Sequence, residues 1–228
     1  METVLITGAN RGIGLQMTRE FADLGFKVIA CCRTPEQADE LIVLSKIKKV
    51  SVFELDVTRT EDIASLVNRL NDETIDILVN NAGVIGGDRQ SARDIDYDAW
   101  TETFHVNTVA PIRLSAALLM NLNRSLHPRI AIISSQMGAM SRGTNGQIIY
   151  RSTKAAVNKS MQVLAEEVKP DGITVCCIHP GWVQTDMGGP NATITAKESA
   201  SGLVEVLTAL TLEQSGSFLT WEGAPHPW

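Results

Sequence analysis

Val4-Leu5-Ile6-Thr7-Gly8-Ala9-Asn10-Arg11-Gly12-Ile13-Gly14 runs from a short apolar stretch straight into three glycines. An uninterrupted apolar run closed by glycine is the pattern of a parallel strand buried on both faces. Ile13, Met17, Phe21 and Leu24 then recur at helical spacing until Gly25 stops them. Lys27–Cys32 is apolar again and reads as a second strand. A strand, a glycine-rich turn, a helix and a second strand therefore open the chain.

The same alternation continues. Thr34-Pro35-Glu36 has the form of an N-cap with proline at the first helical position, for a helix reaching about Leu44. Val50–Leu55 is a third strand, and Thr60 is expected to cap a helix with Ile63, Leu66, Val67 and Leu70 inward. Ile75–Val79 makes a fourth strand. Trp100, Phe104, Val109, Ile112 and Ala116 suggest one long helix ending near Asn121. Arg129–Ile133 is a fifth strand. A further helix carries Val157, Met161, Leu164 and Val168 and stops at Pro170-Asp171-Gly172. Ile173–Ile178 is a sixth strand, Thr195-Ala196-Lys197-Glu198 forms a capping box for a last helix, and Ser217–Thr220 is a final strand. Strands and helices alternating in this way imply α/β architecture. The expectation is one domain over residues 1–228, a doubly wound parallel sheet of about seven strands with helices on both faces.

Composition narrows the class. With 44% hydrophobic residues in 228, the chain can fill one sizeable core. A formal net charge of −6 leaves no basic footprint for nucleic acid or an anionic membrane surface. No apolar run reaches the ~18 residues of a membrane span, and the opening residues show no secretory signal, so a cytoplasmic location is expected. Cys31-Cys32 and Cys176-Cys177 are adjacent pairs without metal or redox spacing, which suits small buried thiols. The four histidines show no zinc-binding spacing, and no metal site is expected.

In a doubly wound sheet, ligands bind outside the carboxyl ends of the strands where strand order reverses. The segments Gly8–Gly14, Asn80–Gly83, Ser134–Gly138 and Pro180–Gly181 should converge there. The glycines at 8, 12 and 14 allow a pyrophosphate to approach main chain at a helix N-terminus. Tyr150-Arg151-Ser152-Thr153-Lys154 opens a helix, and its phenol and ammonium lie four residues apart on one face. A neighbouring Lys⁺ favours phenolate, so the phenol is expected to fall from about 10 toward working pH and serve as a general acid or base.

Thr7-Gly8-x-x-x-Gly12-x-Gly14, Asn80-Asn81-Ala82-Gly83, Asn107, Ser135, Tyr150-x-x-x-Lys154 and Pro180-Gly181 stand in the order of the short-chain dehydrogenase/reductase family. The chain resembles that family over its whole length. Within it, the segments Tyr150–Asn158 and His179–Pro190 and the closing Pro227-Trp228 look closest to C-factor and sniffer-type carbonyl reductases. The resemblance implies a Rossmann fold and a carbonyl/alcohol substrate. Tyr150 would be the acid/base, and Lys154 would lower its pKa and hold the nicotinamide ribose. Ser135 would bind the substrate oxygen, and Asn107 would anchor a water linking Lys154 to solvent. Ser134 and Ser141 compete for the serine role; Ser135 is preferred because Gly138 completes the family's Ser-x-x-Gly pattern. His179 could pass for a base, but with Tyr150 in that role a structural reading is preferred.

The cofactor follows from charge. The acid that usually accepts from the ribose 2′-OH about 20 residues past the glycine loop is absent. Cys32 stands in its place with Arg33 beside it, and Arg11 adds a second guanidinium. Two guanidiniums suit a 2′-phosphate, so NADP(H) is preferred over NAD(H). The expected cofactor contacts are Gly8, Asn10, Arg11, Gly12, Ile13, Gly14, Arg33, Asp56, Val57, Asn81, Ala82, Gly83, Tyr150, Lys154, Pro180, Gly181, Val183 and Thr185. Gln136, Met137, Trp182 and Met187 are expected to line the substrate side, with Met140 as a further apolar candidate, and the 187–194 loop to close over it. The family also implies a homodimer or homotetramer packed through helices near Ala110 and Ala156. The alternative is a cofactor-binding signalling protein of C-factor type with little turnover.

Overall fold

A computed structural model describes residues 1–143 and 145–228. Residue 144 lies outside the described residues. The chain runs β1 (Thr3–Thr7), α1 (Gly12–Asp23), β2 (Lys27–Cys32), α2 (Asp39–Ile47), β3 (Val50–Glu54), α3 (Thr60–Leu70) and β4 (Ile77–Asn80). A small hairpin follows, β5 (Gln90–Ser91) and β6 (Asp94–Ile95), then α4 (Tyr97–Phe104), α5 (Ala110–Ala117), α6 (Leu119–Leu122) and β7 (Arg129–Ile133). The rest is α7 (Ile148–Val168), β8 (Thr174–His179), β9 (Val183–Gln184), β10 (Ile194–Thr195), α8 (Ala196–Ala209) and β11 (Ser217–Thr220).

The central sheet has seven parallel strands in the order β11-β8-β7-β4-β1-β2-β3. Strand order reverses between β1 and β4, which places the crevice at the ends of Thr7 and Asn80. Alternation along β1 feeds two cores. Val4 and Ile6 pack with Met17 and Phe21 of α1 and Leu203 and Leu207 of α8. Leu5 packs on the other face with Leu66 of α3, Leu114 of α5 and Val157 and Met161 of α7. Full burial of each such side chain contributes about 1.5–3 kcal/mol, and it is this double covering that requires the strands to be apolar throughout. The four cysteines are unpaired and buried in these strands, and burial pushes their thiols up. No helix among the described residues is long and apolar enough to cross a membrane.

Local signals misplaced three boundaries. Thr34 makes no side-chain cap; Pro35–Gln37 form only a 3-10 turn, which Ala38 breaks at φ −100°, ψ 62°. The helix starts instead at Asp39-Glu40, whose negative charge suits its positive end. Thr60 is already inside α3, with Arg59 at the N-cap. The expected long helix from Trp100 is interrupted by a π turn at His105–Val109. Pro111 has no N–H for the carbonyl of Asn107 four residues earlier, so a regular α-helical ladder cannot pass this point. Leu24 is exposed, because it caps α1 rather than continuing its buried stripe. The capping box is present as expected, with Thr195 and Glu198 each accepting from the other's main chain.

Candidate active site

The glycine loop is held from both sides of the crevice. Gly8 and Gly12 sit at φ +63° and +54°, a region that side-chain-bearing residues rarely adopt. Gly14 is required for another reason: a Cβ there would stand 2.3 Å from the Gly8 carbonyl oxygen. The Ala9 amide donates to the Cys31 carbonyl at 3.0 Å, tying the loop to β2. The start of α1 has no side-chain cap and no acid in its first turn. Its amides and positive dipole end therefore suit an anion, which is the fit a pyrophosphate needs.

Thr7 joins this loop to the segment after β4. Its buried hydroxyl accepts from the amides of Asn81 and Ala82, both at 3.0 Å. The Asn81 carboxamide returns hydrogen bonds to the Thr7 and Gly8 carbonyls at 2.8 and 3.1 Å. Asn81 thus shapes the loop with its side chain. Gly83 faces the π turn and α7: a Cβ there would lie 3.3 Å from Asn107 Oδ1 and 3.6 Å from Lys154 Nζ. The Asn107 side chain, buried in the π turn, braces Val84 by accepting its amide at 2.9 Å and donating to its carbonyl at 2.8 Å. It also donates to Thr153 Oγ1 at 3.1 Å.

At the end of β7 the serine alternatives separate. Ser134 donates to Asn158 Oδ1 and is absorbed into packing. Ser141 is exposed, and its amide donates to the Trp228 carbonyl. Ser135 is the one of the three that acts on the Tyr150 phenol, drawing its pKa down, while its hydroxyl oxygen accepts the Met137 amide at 3.1 Å. Tyr150 and Lys154 both lie on the buried stripe of α7.

The expected effect of Lys154 on Tyr150 is overturned in this state. Burial pushes the Tyr150 phenol up from its ordinary value, opposed only by the Ser135 hydrogen bond. Lys154 Nζ is 5.8 Å from the Tyr150 ring centre and donates to the Ile133 carbonyl at 2.9 Å, so its charge is directed elsewhere. Burial in turn lowers the lysine itself to about 8, with Cys177 acting in the opposite direction. At neutral pH the site holds a neutral phenol beside a lysine that is mostly cationic.

Arg33 is exposed just beyond β2. Burial raises the Asp56 carboxyl, but hydrogen bonds from the Thr58 hydroxyl and amide, with Arg33 and Arg59 nearby, hold it below the usual range. Val57 packs beside it against the core. Asn10 and Arg11 are exposed at the loop tip, and Arg11 is paired with Asp186. Ile13 is half-buried against the α1 side of the sheet.

The segment after β8 closes the opposite wall. The Pro180 carbonyl accepts from Ser199 Oγ at 2.7 Å, and Gly181 sits at φ +88° against Ile194. Val183 is buried, and Thr185 Cγ2 lies 3.3 Å from where a Gly12 Cβ would be. Residues from opposite ends of the chain thus meet at the glycine loop. Trp182 and Met187 are 50% and 43% exposed, the Trp182 indole N–H donating to the Gly188 carbonyl at 2.9 Å. Gln136 accepts from Arg142, Met137 is half-buried, and Met140 stands in solvent. His179 is buried against His226, and burial first, then His226 and Arg142, lower it to about 4. It is neutral at working pH. Sequence reasoning left two residues of this neighbourhood without a role, Gln90 and Thr153. Thr153 lies inside the Tyr-x-x-x-Lys motif, whereas nothing local marks Gln90.

Residues 2–195 match the short chain dehydrogenase family. The chain is 39% identical over 155 residues to C-signal of Myxococcus xanthus, covering 68% of this chain and 93% of that one. It is 31% identical over 235 residues to 1-hydroxy-2-glutathionyl-2-methyl-3-butene dehydrogenase of Rhodococcus, covering 100% of both. Among solved structures, carbonyl reductase Sniffer of D. melanogaster superposes with a TM-score of 0.94 at 29% identity, covering 100% of both chains. An NADPH-bound carbonyl reductase from chicken fatty liver superposes with a TM-score of 0.92 at 33% identity, covering 100% of this chain and 99% of that one. Family match, whole-chain superposition and the converging strand ends agree: this chain belongs to the short-chain dehydrogenase family of oxidoreductases.

Proposed function

We propose that the protein is an NADP(H)-dependent reductase of aldehydes or ketones, with Tyr150 as its acid/base. The observation that carries this reading is the convergence of Ser135, whose hydroxyl lowers the Tyr150 phenol, with the buried Tyr150 and with Lys154 one turn further along the same helix face. When bound, the nicotinamide supplies the hydride that adds to the carbonyl carbon. The Ser135 hydroxyl then holds the oxygen on which negative charge develops, and the Tyr150 phenol gives it a proton. Burial keeps that phenol protonated at neutral pH, the form that reduction requires. Lys154 would grip the ribose and help reprotonate Tyr150, and Arg33, with Arg11, would hold the 2′-phosphate.

Purified protein should oxidise NADPH with at least one member of an aldehyde and ketone panel, and Tyr150→Phe should abolish it. Turnover surviving that substitution would remove Tyr150 from the mechanism. Half-exposed Val109, just before α5, and Val163, on α7, lie at the helices through which a homodimer or homotetramer is proposed to pack, to be read by light scattering.

The similarity to C-signal motivates a second reading, a cofactor-binding signalling protein with little physiological turnover. Rescue of a deletion phenotype by the Tyr150→Phe form would favour it over the enzyme.

A further inference from the structure

Gln90 is 6% exposed, and its carboxamide is fully committed. Its nitrogen donates to the carbonyls of Ile85 and Gly87 at 2.9 and 2.6 Å. Its oxygen accepts the main-chain N–H of Tyr150 at 3.0 Å. Tyr150 is the third residue of α7, so this amide is one of the donors that a helix N-terminus leaves without an internal partner. Such a donor is normally met by the side chain of the N-cap residue. Here the N-cap is Gln147, left-handed at φ 53° and making no side-chain cap. The acceptor arrives instead from a residue 60 positions earlier.

The segment carrying Gln90 is seated directly on the catalytic helix. Gly86, at φ +90°, would place a Cβ 2.6 Å from Thr103 Oγ1 and 2.7 Å from Ile149 Cγ2, so no side chain fits between the loop and the first turn of α7. Asn107 holds the other end of the segment at Val84 and reaches Thr153. Thr153 donates to the Tyr150 carbonyl at 2.8 Å. Both main-chain groups of Tyr150 are therefore tied, the N–H to Gln90 and the C=O to Thr153.

We propose that Gln90 is a positioning residue for Tyr150, capping the catalytic helix from the loop after β4 and so setting the approach of the phenol to Ser135. The proposal rests on the reading of Tyr150 as the acid/base. Its physical basis is that the lever is short. The ring leaves the helix at the residue whose N–H Gln90 holds, and misplacement of a reacting group by about 1 Å can lower a rate on the order of 100-fold.

The test compares the unaltered protein with Gln90→Met, which keeps the length of the side chain but neither accepts nor donates as the amide does. Gln90→Asn, too short to reach both partners, serves if the first variant fails to fold. In the protein without cofactor, amide hydrogen exchange across 148–153 should accelerate in the variants. With NADPH and a carbonyl substrate, kcat should fall roughly 10- to 100-fold while the NADPH dissociation constant stays as it was. In the direction of alcohol oxidation, Tyr150 must be ionised and the rate rises with pH. Loosening the Ser135 contact, which favours ionisation, should move that limb to higher pH. Unchanged exchange, or a kcat loss matched by lost cofactor affinity with the limb unmoved, overturns the proposal. Accelerated exchange in a protein that turns over no carbonyl would instead defeat the reductase reading, leaving Gln90 a helix cap with no catalytic role.

Discussion

Gly138 lies flat against the backbone of Lys154: a Cβ at position 138 would stand 2.6 Å from the Lys154 carbonyl carbon and 2.8 Å from the Ala155 nitrogen. The turn that begins at Ser135 therefore rests on the same helix that carries Tyr150 and Lys154. The glycine of Ser-x-x-Gly sets the spacing between two parts of the site.

Gly138→Val should consequently act on activity as well as stability. Forcing a side chain against backbone costs about 1–3 kcal/mol, because neither partner is a flexible side-chain end. The turn must lift, carrying Ser135 away from Tyr150. Chemical denaturation and turnover are the measurements, and a variant with unaltered kcat would show that the contact does not set the Ser135–Tyr150 approach.

Lys154→Met separates the function of the lysine from its effect on stability. The native lysine titrates at about 8 and the unfolded one near the ordinary 10.5, so between those values the native state binds fewer protons. Stability of the unaltered protein without cofactor therefore rises as pH climbs from about 8 to 10.5, and the penalty for burying the charge is fully present below pH 8. That net penalty is on the order of 3 kcal/mol. Urea unfolding should find Lys154→Met more stable than the parent at pH 7, with the gap closing toward pH 10.5, and inactive throughout. Parallel stability curves for the two proteins across that window would contradict the buried cation.

Arg33→Asp should invert cofactor choice. It would exchange the proposed 2′-phosphate partner for a carboxylate that repels the phosphate and can accept from a ribose 2′-OH. The expected result is a rise of about 10-fold or more in KM for NADPH with KM for NADH unchanged or lower. An unaltered NADPH/NADH ratio would exclude Arg33 from the selection.

Thr7→Val keeps the shape of the side chain but strips the acceptor from the amides of Asn81 and Ala82. The Asn81 amide keeps the Val79 carbonyl, but the half-buried Ala82 amide loses its acceptor, at a cost of about 1–3 kcal/mol, so thermal unfolding should drop by several degrees and NADPH affinity should weaken. Thr7→Ser should restore both. A Ser variant as impaired as the Val variant would mean that the methyl group matters and the hydroxyl does not.

Much of this was legible in the residues because the signals are local. Continuous apolar runs marked the strands, which are covered on both faces. Glycine, with no Cβ, marked where Gly14 crosses Gly8 and where Gly25 and Gly172 end helices. The Thr195–Glu198 box and the buried stripe of α7 depend only on helical spacing. The π turn was missed, because the apolar spacing from Trp100 to Ala116 runs on across the point where Pro111 removes a hydrogen bond.

Gln90 shows what spacing does not encode. A glutamine in a polar loop carries no mark of use until folding brings it to Tyr150. The proton chemistry was hidden for the same reason. The four-residue interval correctly put Tyr150 and Lys154 on one face, yet the protonation of each follows from surroundings assembled by several strands. Burial raises the phenol, Ser135 pulls it back, and the Ile133 carbonyl takes the ammonium. Spacing along a helix determines which side chains can meet. Their charge state is a balance of desolvation and neighbours within a few ångströms, and most of those neighbours come from elsewhere in the chain.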